Sequence, residues 1–245
     1  MNCGSIFNYC LCAALLSFLT LGMAAAQQKK FEEDVFPAQG GDIGITFIGH
    51  GTLMVTYAKT VIHVDPVSMY ADYETLPKAD IILVTHEHGD HLDGKAIQAL
   101  TTTRTTLIVN QASAKNLDNA TVMKNGDSRT FDRITIEAVP AYNPDKQFHP
   151  KGNGNGYVLT LGDKRVFVAG DTENVPEIKA LADIDIAFLP MNLPFTMTPE
   201  QVADTAKALK PKILYPYHFG ETDTNELLRL MQGEKDIEVR IRELK

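Results

Sequence analysis

Beyond residue 40 the chain alternates between short apolar runs, rich in β-branched residues, and polar breaks containing Gly, Pro, Asp or Asn. Segments 43–48, 53–57, 61–64, 81–84 and 106–109 make a first set, and 134–139, 157–161, 165–169, 184–189 and 212–215 a second. Runs of this length and composition read as strands. Helices are fewer. Residues 94–100 form a short one, and 113–116 a turn of another. Thr198-Pro199-Glu200-Gln201 supplies an N-cap, a proline at the first helical position and a Gln to close a capping box, opening a helix to about Leu209. Asp223, with Glu226 three residues on, starts a last helix that ends before Gly233. Strand-rich halves with helices between the later strands predict an α/β fold of packed sheets with helices outside. No linker, repeat or low-complexity segment interrupts residues 27–245, which read as one domain.

The N-terminal pattern is different. The first 26 residues contain no Lys, Arg, Asp or Glu, the run 11–26 is apolar, and Ala24-Ala25-Ala26 suits a cleavage site. This reads as a secretory signal peptide, 1–26, although its n-region lacks Lys and Arg; the expected location is periplasmic or secreted. The apolar core is short for a span and no stop-transfer flank follows, so no stable membrane span is expected after cleavage. Cys3, Cys10 and Cys12 all lie in this segment, leaving the mature chain unable to form a disulfide. The formal charge of −8 argues against a nucleic-acid partner and leaves a small-molecule substrate as the expected one.

Candidate chemistry concentrates in Val84-Thr-His-Glu-His-Gly-Asp-His-Leu-Asp-Gly94, where three of the chain's 7 histidines fall in six residues just after an apolar run. His86 and His88 alternate as strand residues do, with Asp90 and His91 in the following turn. Imidazole and carboxylate together suit Zn²⁺ and its neighbours, and the lack of cysteine removes thiolate ligation. A solvated polar loop is the bland alternative. Asp171 follows the apolar 166–169 and Gly170, while His218 follows a strand and Pro216.

With HEHGDH (86–91), AGDT (169–172) and YHF (217–219), the sequence resembles the metallo-β-lactamase superfamily over about residues 42–217. The resemblance implies a four-layer αββα sandwich, the metallo-β-lactamase fold, with one or two Zn²⁺ (or Mn²⁺, Ni²⁺ or Fe²⁺) at the sheet edge. It assigns His86 and His88 to a first metal and Asp90 and His91 to a second, with Asp171 bridging and His218 as the last histidine. The third histidine expected for the first metal is missing: Pro140-Ala-Tyr-Asn143 stands in its place. His149 either fills that slot, contacts substrate, or merely packs its loop between Phe148 and Pro150. Gly49-His50-Gly51, HEHGDH, Phe148-His-Pro-Lys-Gly152, AGDT and YHF look closer to the ascorbate-6-phosphate-lactonase-like and phospholipase-D-like branches than to antibiotic-degrading enzymes.

Several residues keep two readings. Asp65 either supports a ligand histidine or caps a turn. Asn143 is a weak, neutral ligand or a substrate contact. Residues 151–156 read as a flexible hairpin approach in which Lys151 meets an anionic substrate group. His63 reads as a core or sheet-face histidine. Segment 191–197 forms an apolar lip over the site or packs in the core. A divalent metal lowers the pKa of bound water from 15.7 toward roughly 7. The expected reaction is therefore hydrolysis of an ester, lactone or phosphodiester, with Asp90 or Asp171 orienting the water and His218 or His50 assisting the leaving group. Hydrolysis of a β-lactam or other amide is one alternative. An exported metal- or ligand-binding module with a degraded site is another.

Overall fold

The computed structural model describes Met1 and residues 30–245; the expected signal peptide lies outside the described residues, apart from Met1. Two seven-stranded mixed sheets face each other. The first contains β1 (Glu32–Phe36), β2 (Ile43–Gly49), β3 (Thr52–Tyr57), β4 (Thr60–Val64), β5 (Ile81–Val84), β6 (Thr106–Val109) and β7 (Thr121–Val122), in that order. The second contains β8 (Ser128–Phe131), β9 (Ile134–Ala141), β10 (Gly154–Leu161), β11 (Lys164–Val168), β12 (Ile186–Pro190), β13 (Ile213–Tyr217) and β14 (Glu238–Val239), also in chain order. Each sheet starts with antiparallel hairpins and finishes with parallel strands.

Side-chain alternation builds the layers. Ile43, Ile45 and Phe47 on β2, Leu53 and Val55 on β3, and Ile81 and Leu83 on β5 point into the core shared with the second sheet. Their neighbours Ile48, Met54, Ile82 and Val84 point outward under α1 (Gly94–Leu100), which buries Ala96, Ile97 and Leu100 on them. Both sheets are thus apolar on two faces, and helices cover the outer ones. Over the second sheet lie α2 (Pro176–Lys179), α3 (Pro199–Leu209) and α4 (Thr224–Met231). Thr198 caps α3 in the full reciprocal box with Gln201, and Asp223 caps α4. This is the expected αββα sandwich.

The departures are polar or short. β1 reads Glu-Glu-Asp-Val-Phe and carries no apolar alternation. It is held by its ladder with β2 and by Asp34, which accepts hydrogen bonds from Arg240, Arg242 and Tyr215. β8 is a polar edge strand, while β7 and β14 have two residues each; tertiary pairing, not local preference, makes them strands. Residues 154–156 are not a flexible approach but the start of β10, paired with β9 from Gly154 opposite Ala141. Gly156 is required by close packing, since a Cβ there would come within 2.7 Å of the Ala169 carbonyl oxygen.

Candidate metal centre

Every site residue leaves the same edge of the sandwich, where the parallel strands end. Asp65 follows β4, His86 to His91 follow β5, Asp171 follows β11, and His218 follows β13. His50 sits in the β2–β3 turn and His149 in the long β9–β10 connection. Two main-chain bonds join the sheets there: His218 N–H donates to His50 O at 3.1 Å and Asn155 N–H to Thr85 O at 2.9 Å. His50, Asp65 and His218 have left-handed backbones, with φ of 53°, 45° and 49°. Such conformations cost about 1–3 kcal/mol each and collect at functional sites. Gly170, at φ 66°, lets the chain turn beneath Asp171; a Cβ would meet the Asn155 oxygen at 2.8 Å.

Three overlapping groups of donor atoms result: His86, His88 and His149; His86, His91 and Asp171; and His50, Asp90, His91 and His218, with the atoms of each group within 4.8 Å of one another. Asp171 is the centre. Its Oδ2 lies 3.2 Å from His149 Nε2, 3.5 Å from His218 Nε2 and 3.9 Å from His86 Nε2, and its Oδ1 lies 3.4 Å from His91 Nε2. Asp90 Oδ2 is 3.4 Å from both His50 Nε2 and His218 Nε2.

The rings are aimed from behind. Asp65, fully buried, accepts from His91 Nδ1 at 2.8 Å and from Thr85 N–H and Oγ1–H, both at 2.7 Å. That fixes the tautomer of His91 and turns its Nε2 to the centre. Asn143 is not at the centre; its Oδ1 accepts from His149 Nδ1 at 2.6 Å, and its N–H donates to the His149 carbonyl at 2.8 Å. The loop therefore folds back and presents His149 Nε2. Thr85 Oγ1 lies 3.0 Å from His86 Nδ1, and the Asn192 amide 3.3 Å from His218 Nδ1. Thr85 and Asn192 are supports to which the sequence assigns no role, although each lies within a segment that stands out there, 84–94 and 191–197. Lys151 lies apart: its ammonium is 2.8 Å from Glu177 and 3.1 Å from the Tyr142 hydroxyl. His63 faces Pro77 O under the outer layer, away from the cluster.

Electrostatics show what the cluster needs. Burial disfavours a charged ring at His91, but Asp171, Asp65 and Asp90 outweigh it and raise His91 to about 9. Burial, followed by the charge on His91, holds His86 well below its ordinary value. Burial opposes ionisation of Asp171, yet the surrounding rings, His218 and His91 foremost, hold its carboxyl well below the usual range. Asp90 behaves likewise through His218 and His50. His91 Nε2, His218 Nε2 and Asp171 Oδ1 are buried without a hydrogen-bond partner. Imidazole nitrogens and carboxylate oxygens left bare around one centre fit a divalent cation.

A donor cluster of this kind on an αββα sandwich defines the metal-dependent hydrolases of metallo-β-lactamase fold. Residues 44–218 match the family described as the beta-lactamase superfamily domain, and the chain belongs to that family. It is 30% identical to a UPF0173 metal-dependent hydrolase of Thermococcus kodakarensis over 214 residues, which cover 80% of this chain and 95% of the relative. A similar relative from Pelotomaculum thermopropionicum is 29% identical over 219 residues, with the same coverage. Among solved structures, a protein from Parabacteroides distasonis named a metal-dependent hydrolase shares 53% identity, with a TM-score of 0.86 over 88% of this chain and all of that one. The metallo hydrolase Igni18 from Ignicoccus hospitalis, at 23% identity and TM-score 0.71 over 82% of this chain and 95% of its own, shares the fold.

Proposed function

We propose that this chain hydrolyses an ester, lactone or phosphodiester bond of a small molecule, within the lactonase-like or phospholipase-D-like branch of its superfamily. The observation that carries the reading is Asp171, placed between two donor groups that open on one cleft lined by His50, His88, Asp90, Phe148, His149, Asp171, Asn192, Phe195 and His218. In this reading His86, His88 and His149 hold one ion, Asp90, His91 and His218 a second with His50 beside it, and Asp171 faces both. Zn²⁺ suits the imidazole-rich set best. When bound, a divalent ion supplies Lewis acidity and a low-pKa water.

The chain's own groups do the rest. Asp90, part-exposed to the cleft, orients the attacking water for His50 to deprotonate. His50, 3.4 Å from Asp90, passes a proton to the leaving group. Zinc-loaded protein should hydrolyse at least one member of a panel of lactones, carboxylic esters and phosphodiesters. Chelation should abolish this, and His88→Ala should remove an ion. Equal activity in chelated and untreated samples, both free of metal, would refute the reading.

Export is part of the same proposal and rests on the charge-free residues 1–26. Among the described residues no helix is long and apolar enough to cross a membrane. N-terminal sequencing of the exported protein should begin near Gln27.

A further inference from the structure

Two phenylalanines line the cleft beside its histidines. Phe148 directly precedes His149, and its ring meets that of Phe195 at 5.0 Å and 70°. Phe195 is 41% exposed and its neighbour Leu193 is 45% exposed, whereas Met191 and Met197 at the ends of the same segment are fully buried. Segment 191–197 is therefore anchored in the core at both ends and holds its apolar middle outward. This middle is a closed turn: Phe195 and Thr196 N–H both donate to Asn192 O at 2.8 Å. Lys146 ties the two aromatic loops together, donating to Thr196 O at 2.8 Å and lying 3.0 Å from the buried Glu173. The ring pair lines a cleft of about 270 Å³, just below the usual range of ligand sites.

The surface beyond the donor cluster narrows what fits. No lysine or arginine is among the cleft's lining residues, which include two carboxylates. The nearby lysines are committed, Lys146 to Glu173 and Lys151 to Glu177. Divalent ions at the donor cluster would offset the charge of a phosphodiester, so it is the aromatic wall, which offers a charged group no partner, that favours a neutral substrate. A neutral acyl compound would set its carbonyl at the donor cluster and its hydrocarbon on the rings.

We propose that Phe148 and Phe195 form the substrate subsite, and that the substrate is an uncharged carboxylic ester or lactone bearing an alkyl or aryl group. The assignment rests on the hydrolase reading above. Water adds to the acyl carbon, the acyl C–O bond breaks, one water proton passes to the leaving alkoxide, and acid and alcohol result.

Methyl phenylacetate tests it in two ways. With metal-free protein, which cannot turn it over, saturation-transfer NMR should show the phenyl ring bound to wild type and Phe195→Leu but lost in Phe195→Ala and Phe148→Ala. With zinc-loaded protein, Phe195→Ala should raise KM about tenfold, as expected for losing one buried ring, with kcat and zinc content little changed. Ring binding that is equal in wild type and both alanine variants overturns the subsite. If methyl phenyl phosphate is hydrolysed while methyl phenylacetate and a lactone panel are not, the hydrolase reading stands and the ester assignment falls. If nothing is hydrolysed but ring binding still depends on Phe195, the hydrolase reading falls and the apolar subsite stands.

Discussion

The imidazole-only group of His86, His88 and His149 and the carboxylate-bearing group of His50, Asp90, His91 and His218 share one edge but are built differently. In the second, His91 is backed by the buried charge of Asp65, itself fixed by Thr85, and His50 stacks on Tyr70 at 5.5 Å. In the first, His88 is exposed and His149 depends on a loop closed by the neutral Asn143. The carboxylates that hold a proton on His91 would hold a divalent cation there more strongly. We therefore propose that the second group binds its ion more tightly than the first. Ligand burial and support, more than ligand count, separate them.

The largest effect should come from removing what the groups share. Asp171 approaches rings of both, so Asp171→Ala should lose both ions and lower activity by at least three orders of magnitude, about 4 kcal/mol in the barrier. Metal analysis beside turnover checks it; full metal content in the variant would dissolve the pairing of the two groups. Next, His149→Ala should release one ion and leave the second in place, whereas His91→Ala should empty the second group. Loss of both ions from His149→Ala would show that the groups do not fill independently.

The same contrast explains what could be read from sequence. HEHGDH is one contiguous strand-end loop, so four candidate ligands were legible from spacing alone. Asp171 was legible because it follows an apolar run through Gly170, which turns the chain, and His218 because it directly follows a strand and matches the YHF element of the family resembled. His149 was not, because nothing in residues 143–148 records the backbone bond from Asn143 N–H to His149 O that folds the loop back. Thr85 was overlooked because a hydroxyl at a strand end has many partners, and only the β4–β5 pairing puts it beside Asp65. Of the fold, the apolar strands were legible, while β1 and β8 were not, since their places depend on ladders rather than on alternation.

His63 sharpens the comparison from outside both groups. Carboxylates hold His91 charged; burial holds His63 neutral, with a value lowered from 6.5 to about 4 despite its bond to Pro77 O at 3.1 Å. Between those values the unfolded chain binds more protons than the folded one. Stability is therefore complete above about pH 6.5 and falls as the pH drops toward 4, by roughly 3 kcal/mol from this residue. Denaturant titrations of metal-free wild type and His63→Leu at pH 7 and pH 4.5 should show the wild type losing more. Parallel losses in the two proteins would mean that His63 is not the acid-sensitive group.

The smallest effects test the supports themselves. Asp65→Asn keeps a residue that tolerates the left-handed backbone there but removes the charge facing His91, so affinity for the second ion should fall about 10- to 100-fold. Asn143→Ala removes only a neutral acceptor. The His149 ring keeps its backbone tether and its contact with His86 at 5.1 Å, so affinity for the first ion should fall less than about tenfold. Competition titrations with a chromophoric chelator resolve the two ions. A larger loss in Asn143→Ala than in Asp65→Asn would reverse the ranking, and would mean that fixing a loop ligand in place matters more at this edge than the charge behind a rigid one.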